Sequence, residues 1–157
     1  MRTKKNNQKG FSLIELLIVV AIILIIAAIA IPNLLRSRMA ANEASAVGSL
    51  RTLNTAAVQY NTTYGIGFPQ ALSDLGPAAT ASSTAADLID SVLASGTKSG
   101  YTFVLAPGTV PGDTYTITAI PTTVGTTGQR SFFTDQSGVI RADTTGATPT
   151  VNNTPIS

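Results

Sequence analysis

The strongest constraint on this chain is an apolar run near its N-terminus. From Phe11 to Ile31 there are 21 residues, and only Ser12 and Glu15 among them are polar. As an α-helix at about 1.5 Å per residue, the run would be roughly 31 Å long, close to the thickness of about 30 Å of a bilayer's hydrocarbon core. A helix that is apolar all round needs apolar surroundings on every side, which the rest of so short a chain could hardly supply. The run therefore predicts a membrane-spanning helix.

Positive charge is concentrated before this run. Four of the ten Lys and Arg residues lie in the first ten positions, where no Asp or Glu occurs, and the remainder carries six basic against eight acidic groups. The basic isoelectric point therefore belongs to a short arm, and a nucleic-acid-binding surface on the folded part is not indicated. Only Arg36 and Arg38 follow the run closely, so the charge bias predicts a single span with a cytoplasmic N-terminus.

A secretory signal peptide would share this basic start. Its apolar stretch would be about 7 to 15 residues long and would end at a cleavage site with small residues. The run here is longer, and Pro32-Asn33-Leu34-Leu35 leads into a pattern that remains helical. We therefore expect the hydrophobic segment to be retained.

The side chains that most enzymes and metal sites need are missing. The chain contains no Cys and no His, which removes thiol nucleophiles, Cys/His zinc sites and imidazole catalysis. The segment Gly96–Gly100 lacks the spacing of a phosphate-binding loop and predicts a turn, and no cofactor or metal is expected. Asp87 and Asp90 are best interpreted as a solvated helix face; a membrane-anchored enzyme that uses an acidic pair is the alternative from another class.

Two residues in or beside the run need an explanation. An acidic side chain costs about 2.5 to 3.5 kcal/mol at the centre of a membrane helix and less near an end, so Glu15 needs a partner. The run contains no Lys or Arg, which leaves the chain's own N-terminus or another molecule. Pro32 has no N–H to donate to the carbonyl of Ala28, so a kink or a looser turn is expected there.

The N-terminal segment resembles a known family. The stretch Lys9-Gly10-Phe11-Ser12-Leu13-Ile14-Glu15-Leu16-Leu17, continued by Ala28-Ile29-Ala30-Ile31-Pro32, is similar to the signature of type IV pilins and type II secretion pseudopilins. The resemblance implies that residues 1–10 are a leader, which a prepilin peptidase cuts after Gly10. It also implies that Phe11 becomes an N-methylated first residue and that Glu15 pairs between subunits during assembly.

Cleavage would supply the partner that Glu15 needs. It removes four positive charges and creates an α-amino group, whose unperturbed pKa of about 8 leaves it largely cationic near neutral pH. Phe11 and Glu15 lie one helical turn apart, so a contact within one chain is possible. Between chains, the same pairing would fix the axial offset of an incoming subunit, because a misplaced subunit leaves two charges unpaired in an apolar bundle.

The helix is expected to continue past the membrane. Residues 11–31 form the membrane and filament-core part, and residues 32–64 form an amphipathic continuation, which Gly65 and Gly67 end at about Tyr64. Arg36, Arg38 and Glu43 either form ion pairs between subunits or face water. One face of the continuation is apolar at intervals of three or four: Val47, Leu50, Leu53, Ala57, Tyr60 and Tyr64.

The C-terminal half predicts a small sheet that covers this face. Residues 65–99 are expected as a connecting loop with short helices at Phe68–Gly76 and Ala85–Ala94, residues 100–143 as an antiparallel sheet, and residues 144–157 as a loose polar tail. The predicted fold class is α+β, pilin-like, with a long N-terminal helix packed against four strands. These strands are Tyr101–Leu105, Tyr115–Ile120, Ser131–Thr134 and Val139–Ala142.

These expectations indicate a structural subunit rather than an enzyme. The resemblance implies a precursor in the bacterial inner membrane and then an extracellular pilus, a homopolymer of such subunits. Its partners would be membrane lipid, the prepilin peptidase and, indirectly, an assembly platform and an ATPase, since the sequence shows no nucleotide site. A pseudopilin of a type II secretion system is the alternative. The absence of Trp favours the pilus, because major pseudopilins often carry a Trp-containing segment.

Overall fold

The structure is a computed structural model that describes residues 10–110 and 112–156. The leader ahead of Gly10 lies outside these residues. The chain divides into two compact units, Met1–Arg36 and Ser37–Ser157. One helix, α1 (Leu13–Tyr64), contributes 52 residues and runs through both.

The first unit consists, in its described part, of the beginning of α1. The helix starts after Ser12, whose carbonyl accepts a hydrogen bond from the N–H of Leu16 at 3.2 Å. Every Leu, Ile and Val side chain from Leu13 to Leu35 is exposed, none by less than 46%. By length and composition this stretch could cross a membrane, as the sequence predicts.

The second unit buries one face of α1. Leu50, Leu53, Ala57 and Tyr60 are buried, and Val47 and Tyr64 pack against the same core. The predicted apolar face is therefore confirmed. The buried face also includes small and polar residues that the apolar periodicity did not select: Glu43, Ala46, Ser49 and Ala56.

The helix ends at Tyr64, where the sequence predicts its end. Gly65 has a φ of +66° and donates its N–H to the carbonyl of Asn61 at 2.9 Å. Gly67 follows with a φ of +94°, and a Cβ at this position would lie only 2.5 Å from the Cα of Gly112. Glycine is required here because two backbones meet, and the N–H of Phe68 donates to the carbonyl of Gly112 at 2.8 Å.

The connection after α1 contains less helix than predicted. Leu72–Leu75 forms a 3-10 turn with both leucines buried, as expected. The predicted helix Ala85–Ala94 is mostly wrong, since α2 comprises only Ser91–Ala94. The reason is that residues 86–89 donate their N–H groups to carbonyls of residues 74–76, which leaves them unavailable for a helix.

The start of α2 is fixed by Asp90. Its carboxylate accepts a hydrogen bond from the N–H of Leu93 at 2.8 Å, the geometry of a helix N-cap. Asp87 has a left-handed backbone, with a φ of +54°, which interrupts any helix that would begin earlier.

The sheet is an antiparallel meander of six strands in chain order. The predicted α+β class is confirmed, with six strands instead of four. The four predicted strands are present, and the two additions are too short for alternation to reveal them. The strands are β1 (Thr97–Lys98), β2 (Tyr101–Pro107), β3 (Tyr115–Pro121), β4 (Ser131–Asp135), β5 (Arg141–Asp143) and β6 (Thr154–Pro155).

The end of the chain is held against the sheet. The sequence suggests a loose polar tail from Thr144, but Thr154–Pro155 pairs with β5, and the N–H of Ile156 donates to the carbonyl of Ile140 at 2.9 Å. Asn153 donates to the carboxylate of Asp143 at 3.1 Å. A few specific contacts therefore order a segment whose composition alone resembles a linker.

Alternation in β2 and β3 turns one face of the sheet towards α1. Tyr101, Phe103 and Leu105 of β2 are buried, and Thr102 and Val104 between them are exposed. The buried side chains of β2 and β3 belong to the same core as Leu50 and Leu53 of α1. The sheet therefore covers the face of the helix that the sequence leaves apolar.

We predict that Leu53→Ala lowers the free energy of unfolding of the second unit by about 2 to 5 kcal/mol, because the side chain is fully buried and its removal leaves a cavity. The matched control is Val58→Ala on the same helix, where the side chain is 53% exposed and a change within about 0.5 kcal/mol is expected. The measurement is urea unfolding of the full chain in detergent micelles, followed by near-ultraviolet circular dichroism. Equal losses in the two variants would contradict this packing.

Candidate functional site

The predicted cleavage site lies ahead of α1. Gly10 and Phe11 precede the first helical residue, and Phe11 is 89% exposed. A Cβ on Gly10 would find no atom within 4 Å. The two residues that flank the predicted cut are therefore non-helical and exposed.

Glu15 lies in the first turn of α1 and already has one partner. Its Oε2 accepts a hydrogen bond from the N–H of Ser12 at 2.8 Å. Ser12 is the N-cap and Glu15 the third helical residue, which is the spacing of a capping box. A negative charge in this position also interacts favourably with the helix dipole. The Ser12-Leu13-Ile14-Glu15 pattern has the S-x-x-E spacing of this motif, a local signal of the helix start that the expectations for Glu15 did not include.

The capping bond leaves Glu15 free to bind a cation as well. An ionised carboxylate has about four acceptor positions, and the Ser12 N–H occupies one of them. The expectation that the charge of Glu15 needs a partner from the chain's N-terminus or from another molecule stays a prediction. The cap satisfies one hydrogen bond, while the negative charge itself still has no cationic partner among the residues that the structure describes.

Pro32 lies inside α1 and does not end it. The helix is continuous on both sides of this residue, although Pro32 cannot donate to the carbonyl of Ala28. A bend at this position stays a prediction.

Glu43 forms an ion pair within its own chain. Its Oε2 lies 2.8 Å from Nε of Arg130, and its Oε1 accepts hydrogen bonds from the N–H groups of Gln129 at 2.9 Å and Arg130 at 3.1 Å. The Glu43 side chain is only 12% exposed. The expectation that Glu43 pairs between subunits or faces water is therefore wrong, because the loop before β4 supplies three donors to it.

The same loop is bound to α1 by a neighbouring side chain. Asn42 donates to the carbonyl of Thr127 at 2.8 Å. Burial alone raises the pKa of Glu43, but the N–H groups of Gln129 and Arg130 and the Arg130 guanidinium together hold this pKa below its ordinary value. These contacts fasten the β3–β4 loop to the first covered turns of the helix.

Two acidic residues, Asp90 and Asp135, have structural roles, while Asp87 is exposed and lies in a loop instead of on the predicted helix face. Asp90 caps α2 and pairs with Lys98 at 3.2 Å, and Asp135 accepts from the N–H of Ser137 at 2.9 Å in the turn between β4 and β5. Within the described ranges, no group of three or more Asp, Glu, His or Cys residues is placed to hold a metal ion. The site with chemical content is thus the start of α1.

We predict that Glu43→Gln lowers the free energy of unfolding at pH 7 by about 1.5 to 3 kcal/mol, because it removes the negative charge that strengthens the hydrogen bonds from Arg130 and from the N–H of Gln129. The folded-state pKa of Glu43 is lowered, so its stabilisation is present above the unfolded-state pKa and is lost as the pH falls through the folded-state pKa. The difference between wild type and variant should be largest above about pH 5 and should shrink in acid. Urea unfolding of the full chain in micelles at several pH values measures it. A difference that does not depend on pH would contradict the ionic role of Glu43.

Comparisons with known proteins concern mainly the N-terminal segment. Residues 5–31 match the sequence model of the prokaryotic N-terminal methylation motif. No solved structure matches this chain.

Two curated relatives match part of this chain. The chain is 66% identical over 38 residues to the type IV wide pilus major component PilA4 of Thermus thermophilus, covering 24% of this chain and 29% of that protein. It is 48% identical over 58 residues to the type IV major pilin protein PilA of Myxococcus xanthus, covering 36% of this chain and 26% of that protein. The matches therefore span less than a third of either relative. Part of this chain is therefore similar to two type IV pilus components, and its residues 5–31 carry the methylation motif.

Proposed function

We propose that this chain is a structural subunit of a type IV pilus. It is made as a precursor, held in the inner membrane by the first part of α1 with its N-terminus in the cytoplasm, and polymerised into an extracellular filament. One observation carries the proposal. The methylation motif at residues 5–31 includes the first part of α1, and the Leu, Ile and Val side chains of this helix from Leu13 to Leu35 are all exposed.

The uncovered helix surface needs an apolar environment at every stage. Burying one Leu, Ile or Val side chain is worth about 1.5 to 3 kcal/mol, and more than a dozen such side chains are exposed here. Lipid supplies this environment before assembly. In the filament, the corresponding helices of other copies supply the apolar environment. When a subunit moves from the membrane into the filament, its helix therefore exchanges contacts with lipid for contacts with other apolar helices.

Cleavage between Gly10 and Phe11 prepares the helix for this exchange. It removes the basic leader, which disfavours transfer of the N-terminus out of the cytoplasm, and it creates a cationic amine four residues before Glu15. We propose that this amine, methylated on Phe11, pairs with the Glu15 carboxylate of a neighbouring subunit. The carboxylate keeps enough acceptor capacity for both the amine and the Ser12 N–H.

The remaining partners follow from the family resemblance. A prepilin peptidase would cleave and methylate the chain, and an inner-membrane platform with a cytoplasmic ATPase would drive assembly, because the sequence itself carries no nucleotide-binding motif. The proposal assigns no catalytic activity to the chain. The names of both relatives describe pilus components, which favours a pilus over the pseudopilus of a secretion system.

We predict that Gly10→Val blocks removal of the leader. The space around Gly10 is open, so the substitution leaves the described fold intact and acts on recognition by the peptidase. Intact-mass spectrometry of wild-type filaments sheared from cells should show chains that begin at N-methylated Phe11. The variant should remain in the membrane with residues 1–10 attached. Normal mature chains from Gly10→Val would refute the assigned cleavage site.

A second prediction separates the charge of Glu15 from its capping bond. Glu15→Gln keeps an oxygen that can accept from the Ser12 N–H but removes the charge, whereas Glu15→Leu removes both. Both variants should be cleaved and inserted into the membrane, and both should assemble at least roughly tenfold less filament than wild type, since an interfacial charge pair of 1.5 kcal/mol or more is lost. Sheared filament mass per cell is the measurement. Normal assembly by Glu15→Gln would show that the capping bond, and not the charge, matters.

A further inference from the structure

Most charged side chains of the second unit have a partner in the same chain. Glu43 binds Arg130 and Asp90 binds Lys98. Three further carboxylates accept hydrogen bonds in turns and caps, and one arginine donates to a backbone carbonyl. These four are Asp74, Asp135, Asp143 and Arg141.

The charges without a partner fall into two separate groups. Within the described residues, no ion pair or hydrogen bond involves the side chains of Arg38 and Arg51, which lie on α1, or those of Asp87 and Asp113, which lie on loops. All four residues are exposed. The free cations are therefore on the helix and the free carboxylates on the loops, an arrangement that is complementary between two copies of the chain.

Arg51 lies in a groove rather than on a convex surface. The groove has a volume of about 320 Å³. Its chemistry is mixed, with one cation, polar hydroxyl and amide groups, and an apolar part formed by Ala56 and Leu88. The lining residues are Arg51, Thr52, Thr55, Ala56, Gln59 and Leu88.

The loop between β2 and β3 carries the matching groups. Val110 is 58% exposed, and Asp113, also exposed, donates its N–H to the carbonyl of Val110 at 3.2 Å. The backbone thus brings an exposed aliphatic residue and an exposed acidic residue close together in this loop. The groove offers a matching pair of chemistries, because an apolar residue, Leu88, and a guanidinium, that of Arg51, both line it.

This loop and the groove belong to different places on the unit. The carbonyl of Gly112 accepts from the N–H of Phe68, so the loop lies beyond the C-terminal end of α1. Arg51 lies 13 residues before that end, or about 20 Å along the helix axis at about 1.5 Å per residue. Contact between them therefore requires a second copy.

The symmetry of the contact selects Asp113 over Asp87. Asp87 adjoins Leu88, which lines the groove itself, so pairing of Asp87 with Arg51 would bring the same surface of two copies together and close a dimer. Pairing of Asp113 with Arg51 joins two different surfaces. Such a head-to-tail contact leaves one groove and one loop free at the two ends of each pair of copies, so it can propagate into an open helical filament.

We propose that the groove around Arg51 is a docking site for the β2–β3 loop of a second copy, with Val110 against Leu88 and Asp113 paired with Arg51. This inference rests on the proposed function, since it places the contact between subunits of the filament. It adds a contact between folded units, separate from the one at Glu15.

The test uses full-length chains as the sole subunit in cells. Arg51→Glu and Asp113→Arg should each reduce sheared filament roughly tenfold, and the double variant should restore it, because the charges are exchanged and the pair re-forms. Asp113→Asn and Asp87→Asn form a matched pair, of which only the first should reduce filament. Immunoblots of the membrane fraction should show equal amounts of cleaved subunit in all variants.

Cysteine cross-linking tests the geometry directly, because the native chain contains no Cys. Oxidised filaments of the Thr55→Cys, Val110→Cys double variant should give a ladder of covalent multimers, and each single variant at most a dimer. Normal filaments from the wild-type chain, together with no ladder from the double-cysteine variant and no effect of Arg51→Glu, would overturn the docking site and leave the proposed function intact. Dependence on Asp87 instead of Asp113 would also overturn it. Failure of the wild-type chain to form filaments at all would refute the proposed function itself.

Discussion

The uncovered apolar side chains of α1 determine the environments in which this molecule is stable. More than a dozen Leu, Ile and Val residues between Leu13 and Leu35 are exposed in the single chain. At about 1.5 to 3 kcal/mol for each side chain buried, their removal from water outweighs the 5 to 15 kcal/mol that stabilise a typical domain. The chain therefore has two favourable situations, in lipid or against other apolar helices. Both place demands on the polar groups at the start of α1, because any charge that enters an apolar bundle must be paired.

Glu43 marks the point where the surroundings of α1 change. It is the first buried residue of the helix, and the turns that follow are covered by the sheet of the same chain. A buried carboxylate is costly unless its acceptor positions are filled, and the N–H groups of Gln129 and Arg130 are costly unless they find acceptors. The Glu43 carboxylate accepts hydrogen bonds from these N–H groups, so both the acceptor and the donors have partners. The boundary between the part of α1 that depends on other molecules and the part that its own chain covers is thus held by hydrogen bonds rather than by apolar packing alone.

How much of this could be predicted depends on the range of the interactions. The apolar face at Leu50 and Leu53 and the alternation in β2 and β3 repeat along the sequence, so their periodicity revealed the α+β class. Local sequence signals alone did not reveal that Asp90 caps α2, because the helix starts late only as a result of the hydrogen bonds from residues 86–89 to residues 74–76. Local signals could not reveal the Glu43–Arg130 pair either, since the two residues are 87 positions apart in the chain. Strands β1 and β6 have two residues each, too few for any period.

The functional features also differ in whether the sequence reveals them. Gly10, Phe11 and Glu15 are predicted as site residues because they belong to a motif of fixed spacing, and the structure adds the capping bond from the Ser12 N–H to Glu15. The groove at Arg51 has no sequence signature, because Leu88 reaches it from another segment of the chain. Only 11% of the residues are charged, and most charged side chains of the second unit already have an ion-pair or hydrogen-bond partner within it. Crowded copies of such a unit repel one another little. The few unpaired charges therefore have a large influence on how neighbouring copies align, since unpaired charges desolvated at a contact cost more than the apolar surface around them can offset.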